Sequence, residues 1–325
     1  MKSRSCVVGL GEILWDLYPN EKHLGGATAN VAIHAHRLGA QSIVASTVGQ
    51  DLLGEEIIKT LEEQGLVVDY IQKSTACPTG TVNVKLNREG IPHYICSNNT
   101  AFDHFQWNTN LRTLAGKADA VIVGTLAQRN KESRQTIQKF IQMSAGTVVF
   151  DANFREWNDT INQIVRDTLH HTDILKLNEN ELHQIKKASS SDEKEIFPFL
   201  NKLIDAYHLK LIALSLGLRG CLLTDGKEHV LSPGIKIKPL DTTGCGDAFV
   251  AGLIIKYLNN ASLEEIAEFA NHLGAFMATM KGAVPEYTLS DLIEFRDSYQ
   301  ERYEIIMVHH GLEWVDRGEY PFIGV

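Results

Sequence analysis

Long apolar runs are missing from this 325-residue sequence. No segment approaches the about 20 apolar residues that a helix needs to cross a bilayer. Glu12 and Asp16 also interrupt the first apolar run too early for a signal peptide. Cysteine is sparse, since the five thiols are widely scattered and form no CxxC pair. This usage is typical of reduced thiols in the cytosol, so we expect a cytoplasmic protein with no membrane partner.

Positive charge is in short supply as well. The 31 Lys and Arg residues face 40 Asp and Glu residues, which gives a formal net charge of −9, and no basic stripe occurs. This balance repels a polyanion and argues against nucleic acid as a partner. Small anions are not excluded, because they need only a local cluster of donors. The hydrophobic content of 44% is that of a globular protein.

Two common ligand-binding motifs are absent or incomplete. There is no GxxxxGK[ST] loop, which argues against P-loop chemistry. Gly9-Leu10-Gly11 follows a predicted strand, but Leu14 stands where a dinucleotide-binding motif has its third glycine. A nicotinamide-dependent dehydrogenase is an alternative that rests on this incomplete motif, and binding of NAD would be needed to support it. Paired histidines such as His34 and His36 do not face each other on a helix, so we interpret them as surface or packing residues.

Apolar runs and helical patterns alternate along most of the chain. Strands are predicted at residues 6–10, 42–48, 120–124, 148–151, 174–177, 211–216, 221–224 and 228–231. Helices are predicted at residues 29–38, 52–64, 131–143, 161–169, 180–187, 248–258, 263–280 and 289–303. Strands separated by helices predict an α/β fold with a mainly parallel central sheet covered on both faces.

Two segments depart from this rhythm. Residues 79–86 and 93–97 alternate around a turn at 87–90, which predicts a hairpin. Residues 15–24 are too short and polar for a core helix. Both would suit a small β-sheet lid, at about 15–24 and 79–97, inserted into a single domain of residues 1–325. An ordinary edge hairpin fits the same pattern, and residues 305–325 show no clear period.

The strongest chemical motif is Asp241-Thr242-Thr243-Gly244-Cys245-Gly246-Asp247, which opens a predicted apolar helix. Two glycines around one small residue let successive N–H groups face a common point. A helix start adds further donors and the positive end of its dipole. The motif thus predicts an anion hole, with the Asp247 carboxylate beside it as a base for a hydroxyl. Taken alone, the segment favours a helix cap and a tight turn.

A second glycine motif, Gly25-Gly26-Ala27-Thr28-Ala29-Asn30, also opens a predicted helix. Paired glycines allow close approach of a ligand, and the Asn30 amide both donates and accepts hydrogen bonds, which suits sugar hydroxyls. The Asp16 carboxylate lies just upstream and can accept bonds from two vicinal hydroxyls. A helix start with a tolerant loop explains this segment at least equally well.

Together the two motifs resemble those of the ribokinase-like (PfkB) carbohydrate kinases. The first motif is matched by Gly25, Gly26, Asn30, Ala32, Gly39 and Gly49, and the second by residues 241–252. Asn178-Glu179-Asn180-Glu181 looks like the Asn-x-x-Glu element of the family. Residues 11–16, 124–129 and 151–155 are similar to the fructokinase-like branch. The resemblance covers residues 6 to about 303.

This resemblance implies a kinase that transfers the γ-phosphoryl group of ATP to a small sugar, with fructose as the first choice. The alternatives are another sugar or sugar acid, such as 2-keto-3-deoxygluconate or ribose, and a non-catalytic member that binds sugar or nucleotide. The implied cofactors are ATP and Mg²⁺, with K⁺ as an optional monovalent cation. A homodimer formed through the lid is also implied by the resemblance.

The resemblance also assigns roles to individual residues. It implies catalysis by Asp247 as the base, with the backbone amides of Gly244, Cys245 and Gly246 on the transferred phosphoryl group. It places sugar on Asp16, Gly25, Gly26, Asn30 and Arg155. It places Mg²⁺ and phosphates on Asn178 and Glu181, the latter through water, and the nucleotide on Ser215, Gly217, Gly220 and Asn271. A monovalent cation would involve Asp241 and Thr243, together with residues 279–282.

Cys245 departs from the family pattern, which has Ala or another very small residue there. A helix N-terminus lowers the pKa of a thiol, which suggests that alkylation of Cys245 inhibits the enzyme and that ATP protects it. The alternative is a buried and inert small hydrophobic residue.

Overall fold

The computed structural model describes residues 4–86, 92–154, 156–189, 195–303, 305–308 and 311–314. The strands are β1 (Cys6–Leu10), β2 (Leu14–Leu17), β3 (Lys22–Gly25), β4 (Gln41–Gly49), β5 (Ile71–Ser74), β6 (Gly80–Leu86), β7 (Pro92–Cys96), β8 (Ala120–Val123), β9 (Thr147–Asp151), β10 (Ile174–Asn178), β11 (Leu211–Ser215), β12 (Gly220–Thr224), β13 (His229–Pro233), β14 (Ile305–Val308) and β15 (Gly311–Trp314). The helices are α1 (Ala27–Arg37), α2 (Leu52–Glu63), α3 (Thr109–Ala115), α4 (Lys131–Met143), α5 (Asp159–Leu169), α6 (Glu179–Ala188), α7 (Ile196–Tyr207), α8 (Cys245–Leu258), α9 (Leu263–Ala278) and α10 (Leu289–Ser298).

A nine-stranded sheet with the order β13-β12-β11-β10-β9-β8-β1-β4-β5 lies at the centre of the described chain. Strands β5 to β11 in this order pair in parallel, whereas β12 and β13 add an antiparallel edge. The predicted mainly parallel sheet is thereby confirmed. Parallel strands need helical crossovers, which explains why helices separate these strands in the sequence.

Both faces of the central sheet are buried under helices. Alternation along β1 points Val7 to one face and Val8 to the other. Val8 belongs to a core that includes Phe140 of α4, and Val7 to a second core that includes Phe249 of α8. With both faces covered, the carboxyl-terminal edge of the sheet is the place left for polar chemistry. Within the described ranges, every helix is too short or too polar to cross a membrane.

A four-stranded sheet with the order β3-β2-β6-β7 forms the lid. Its strands match the predicted segments 15–24 and 79–97, except that β2 begins and β3 ends one residue outside the first segment. The predicted turn at 87–90 lies outside the described residues. One row of in-register partners crosses all four strands, from His23 through Asp16 and Val82 to Cys96. Val82 packs on the buried ring of Phe102 beneath the lid. The lid therefore has a defined inner face that carries Asp16.

Several elements differ from the sequence-based expectation. Strand β5 and helix α3 were not predicted because both are short, and helix α7 was missed because Pro198 interrupts its pattern in the first turn. The last predicted helix was too long, because α10 ends at Ser298. Strands β14 and β15 pair antiparallel in a tail for which no period was found.

Candidate active site

Polar side chains gather where the parallel strands end. Glu12 follows β1, Asp151 closes β9, Lys176 lies near the end of β10, and Ser215 closes β11. Because carboxyl ends of parallel strands share one edge of a sheet, residues far apart in sequence converge here. Three of these four side chains, those of Glu12, Asp151 and Lys176, are buried. This edge is the candidate active site.

Asp247 lies in the first turn of α8, which begins after Gly244. Its side chain is buried, with 8% of the residue exposed. The Asn30 Nδ2 of α1 donates a hydrogen bond of 2.8 Å to Asp247 Oδ2. The structure therefore joins the two glycine motifs directly, and the N-cap position of α8 is Gly244, which has no side chain to cap the helix.

Burial raises the pKa of Asp247 to about 7, against the opposing effect of the Asn30 hydrogen bond. The charges of Asp151 and Glu12 raise this pKa further, and the Lys176 ammonium lowers it. A carboxyl group with a pKa near neutrality has an appreciable deprotonated fraction and still binds a proton strongly. The environment of Asp247 therefore suits a general base at neutral pH.

Lys176 is a site residue that the sequence reasoning missed. Its Nζ lies 3.0 Å from Asp151 Oδ1, and a Cβ placed on Gly246 would lie 3.4 Å from the same nitrogen. Burial alone would lower the pKa of Lys176, but the carboxylates of Asp151, Glu181 and Asp247 raise it. A fixed positive charge therefore lies directly beside the glycine bend. The available signal was a lysine inside an otherwise apolar strand.

The bend at residues 244–246 requires glycine at its first position. Gly244 has φ +76°, and a Cβ there would lie 2.5 Å from the Ala283 Cα and carbonyl oxygen. The Cys245 N–H donates to Thr242 O over a long 3.3 Å. The Cys245 amide, one of the predicted anion-binding groups, therefore makes only a weak hydrogen bond within the turn.

The expected low pKa of the Cys245 thiol is wrong. Burial raises this pKa to about 12, and the negative charges of Asp241 and Asp247 add to the effect. The α8 dipole favours a thiolate, but desolvation and two neighbouring carboxylates outweigh it. The structure therefore favours the alternative interpretation of an inert thiol.

The glycines of the first motif make room for the protein's own groups. A Cβ on Gly25 would lie 2.5 Å from Asp16 Oδ2, and a Cβ on Gly26, which has φ +107°, would lie 2.5 Å from Glu12 O. Glu12 Oε1 accepts a 3.1 Å hydrogen bond from Ala27 N at the start of α1. Burial raises the pKa of Glu12 to about 7. The glycines thus let Asp16 and Glu12 pack against the beginning of α1.

Asn178 and Glu181 form a capping box at the start of α6. Asn178 Oδ1 accepts from Glu181 N at 2.9 Å, and Glu181 Oε2 accepts from Asn178 N at 2.7 Å. Burial raises the pKa of Glu181, the Lys176 charge opposes this, and the Asp151 charge adds to it. Among the described residues, no group of three or more His, Cys, Asp or Glu side chains could hold a metal ion by itself.

The predicted nucleotide-side loop follows β11. Ser215 Oγ donates to Leu177 O at 3.2 Å, which ties the ends of β10 and β11 together. Gly217 has φ +61°, and a Cβ there would meet nothing within 4 Å. Gly220 has φ +106°, and a Cβ there would lie 2.0 Å from Ser232 O. Gly220 is therefore required by packing, whereas Gly217 is required by its backbone angle and borders open space.

Asn271 of α9 uses its amide to hold the end of β13. Asn271 Nδ2 lies 2.8 Å from Pro233 O and 3.0 Å from Ser232 Oγ. These bonds are made to the protein, so the Asn271 side chain shapes the neighbouring loop through its donor group.

Asp241 connects two loops at the start of α8. Its Oδ1 accepts from Thr243 N at 2.9 Å, and its Oδ2 accepts from Gly282 N at 2.8 Å. The structure therefore brings together residues 241–243 and 279–282, the two segments named for a monovalent cation. The next residue, Ala283, accepts a 2.9 Å hydrogen bond from His34 Nε2, since a carbonyl oxygen can only accept.

His34 had been set aside as a packing residue, and its ring anchors this loop to α1. Because Nε2 donates, Nδ1 is the acceptor for the Tyr287 hydroxyl at 3.0 Å. Burial lowers the pKa of His34 to about 4, so the ring is neutral at neutral pH. The remaining predicted site residue, Arg155, lies outside the described residues.

Comparison with known proteins agrees with this architecture. A fructokinase of Escherichia coli is 28% identical over 293 residues, which cover 85% of this chain and 94% of the relative. An uncharacterized sugar kinase of Pyrococcus horikoshii, crystallised with ATP, is 26% identical with a TM-score of 0.76, covering 90% of this chain and 98% of that chain.

A fructokinase of Vibrio cholerae, crystallised with fructose, ADP and a calcium ion, is 27% identical with a TM-score of 0.76, covering 90% of this chain and 99% of that chain. A double mutant of that fructokinase was crystallised with fructose, ADP and a potassium ion (26% identity, TM-score 0.77, covering 91% and 99%). The model of the pfkB family of carbohydrate kinases matches residues 19–288. The chain belongs to this family and is a sugar kinase of its fructokinase-like branch.

Cys245 should label slowly in the folded protein. We expect iodoacetamide at pH 8 to modify Cys245 at least about tenfold more slowly than the half-buried Cys77, because a thiol with a raised pKa holds little thiolate. Mass spectrometry of tryptic peptides at timed intervals measures both rates. Labelling in denaturant is the control, and there the two rates should converge. Faster labelling of Cys245 in the native protein would contradict the raised pKa.

Removing the Lys176 charge should shift the pH profile. Asp247 is predicted to be the base, and a base must be deprotonated, so we expect kcat/KM to rise with pH through an apparent pKa of about 7. In Lys176→Met the acid limb should move to higher pH by about one unit, because a cation that favours the carboxylate is lost.

The Lys176→Met substitution strands a buried carboxylate at Asp151, so circular dichroism checks that this variant is folded. The double variant with Asp151→Asn removes both charges, and its acid limb should shift less than that of Lys176→Met, because the Asp151 charge raises the pKa of Asp247. Lys176→Arg keeps the charge and is the matched control. An acid limb of Lys176→Met that coincides with that of the parent protein would show that Lys176 does not act on Asp247.

Proposed function

We propose that this protein is an ATP-dependent fructokinase, which transfers the γ-phosphoryl group of ATP to a hydroxyl of fructose. Family membership and the fructokinases among its relatives support the substrate class. The observation that carries the proposal is the buried Asp247 carboxyl. It has a pKa near 7, lies beside a glycine bend, and is bonded to Asn30 of the first motif.

The sugar binds between the lid and the central sheet in this proposal. Asp16 on the inner face of the lid accepts hydrogen bonds from sugar hydroxyls, and Asn30 reaches the sugar from α1. The Asn30 Oδ1 atom is buried and has no hydrogen-bond partner among the described residues, and a buried polar atom without a partner is costly unless a ligand satisfies it. A sugar hydroxyl supplies the missing donor.

The reaction is an in-line displacement at the γ-phosphorus. The sugar oxygen forms the new P–O bond while the bond to the bridging oxygen of ADP breaks, and Asp247 receives the hydroxyl proton. The amides of residues 244–246 and the Lys176 ammonium lie where they can stabilise the charge on the transferred group. Phosphoryl transfer leaves little covalent work to the protein, so positioning and electrostatics dominate.

The nucleotide lies across the ends of β10 and β11, against Ser215, Gly217 and Gly220. Glu181 and Asn178 would hold Mg²⁺ through water, which suits hard oxygen donors that are already bonded to the protein. Bound Mg²⁺ neutralises phosphate charge. The raised pKa of Glu181 fits this role, because a nearby cation would favour its charged form. Asp241 and Thr243 would hold K⁺.

The lid also offers a surface for a homodimer. Strands β3 and β7 are the edges of the four-stranded sheet, and Ile95 of β7 is 42% exposed. Open sheet edges gain from being covered. We therefore propose a dimer through the lid, and sedimentation equilibrium of the purified protein tests it.

We place the enzyme in the cytoplasm, since all five cysteines are free thiols.

A sugar panel tests the substrate. With ATP and Mg²⁺, ADP release is measured on fructose, ribose and 2-keto-3-deoxygluconate, and fructose should give the highest kcat/KM. Next to the lid strand β7, the Arg129 guanidinium donates to Ser97 O and to both Asp103 oxygens, the latter at 2.6 and 2.7 Å. Arg129 is therefore not an unpaired cation for the carboxylate of a sugar acid. A higher kcat/KM on either other compound would overturn the fructose assignment and leave the kinase class intact.

Asp247→Asn tests the base. We expect kcat to fall by roughly 10²–10⁴-fold, because the proton acceptor is lost. Fructose affinity, measured by calorimetry, should stay within about threefold, since the amide of Asn can still pair with Asn30. Near-normal turnover of Asp247→Asn would refute the assignment.

A further inference from the structure

The β2–β3 hairpin of the lid touches the loop of residues 280–283. A Cβ placed on Gly282 would lie 3.4 Å from His23 Nδ1, so the imidazole lies beside this glycine and borders the space that a side chain there would occupy. Beside it, Lys281 Nζ forms an ion pair of 2.6 Å with Glu21 Oε1. The lid therefore meets the main body at a loop that lies far from it in sequence.

The same loop is bonded to the segment that precedes the anion hole. Gly282 N donates to Asp241 Oδ2, and Asp241 Oδ1 accepts from Thr243 N. The backbone of Ala283 packs against Gly244 so closely that a Cβ on that glycine would lie at 2.5 Å. A shift of Gly282 must therefore act on the bend that would receive the phosphoryl group.

His23 also borders the proposed sugar site. It stands directly opposite Asp16 in the register of β2 and β3, so both side chains lie on the same face of the lid. A sugar that moved Asp16 on binding would therefore act directly on the neighbouring imidazole. His23 is the residue of the hairpin that lies next to both Asp16 and Gly282 in the described structure.

We propose that His23 is a positioning residue that couples sugar binding on the lid to the shape of the anion hole, through Gly282 and Asp241. This inference rests on the proposed placement of the sugar at Asp16. The position of the ring beside Gly282 is the main connection, because the Glu21 and Lys281 side chains are 40% and 62% exposed, and exposed ion pairs contribute little.

The side of the 280–283 loop that faces away from the lid is held in place. A movement of the lid is therefore expected to act on Asp241 instead of displacing the whole loop. His34 of α1 holds the Ala283 carbonyl from the opposite direction. Gly282 has φ +82° and lies between this anchor and the His23 ring. A movement of the lid towards Gly282 should therefore change the hydrogen bond between Gly282 and Asp241.

The test measures the coupling between the two ligands. Calorimetry gives the Kd of fructose with and without β,γ-imido-ATP, for the parent protein, His23→Ala and His23→Phe. We expect the analogue to tighten fructose binding at least about fivefold in the parent protein. In His23→Ala this ratio should fall below about twofold, while the Kd of each ligand alone should stay within about threefold of the parent value. The fold-decrease in kcat should exceed the fold-change in KM. His23→Phe keeps a ring against Gly282 and should retain the coupling.

Lys22→Ala is the matched control. Lys22 lies in the same hairpin, but its ammonium pairs with Glu56 of α2 and not with the 280–283 loop, so its variant should keep the parent ratio. Glu21→Lys is a second variant, and because Glu21 is exposed, this substitution buries no new charge. Its coupling ratio should fall modestly and should recover when Lys281→Glu is added.

Equal coupling in the parent protein and His23→Ala would overturn the inference, as would a parent protein that binds both ligands independently. A parent protein that neither binds nor phosphorylates any sugar of the panel would instead refute the proposed function.

Discussion

The hydrogen bond from Asn30 to Asp247 is the interaction on which the candidate site depends. It joins the first turns of α1 and α8, two helices that enter the same edge of the sheet from opposite ends of the chain. The donor fixes the orientation of the carboxylate and stabilises its charged form against burial. This bond is what connects the glycine bend at residues 244–246 to the first glycine motif at residues 25–30.

Around that bond, buried carboxyl groups outnumber buried cations. In the described part of the site, Asp151, Glu181 and Asp247 act on the single ammonium of Lys176, and Glu12 acts on Asp247. Burial raises the pKa of three of these carboxyl groups, those of Glu12, Glu181 and Asp247. A site with this surplus of acids favours ligands that arrive with their own cations, as a metal–nucleotide complex does.

Much of the fold could be predicted from the sequence, because period and spacing are local properties. The central strands and the start of α2 at residue 52 follow from short-range patterns, and the structure shows that Asp51 caps this helix by accepting from Gly54 N. Lys176, Glu12 and His34 were given no role in the site, since each acquires its meaning from partners distant in sequence. The thiol pKa of Cys245 was wrongly expected because the sequence shows the helix start but not the burial.

The ion pair between Asp151 and Lys176 also limits how the sequence can diverge. Losing either partner alone leaves one charge stranded at 3% or 6% exposure, which is far more damaging than losing both. Substitutions at these two positions should therefore appear together across descendants of this protein. Such paired replacement would leave a trace in an alignment, even in lineages whose sugar has changed.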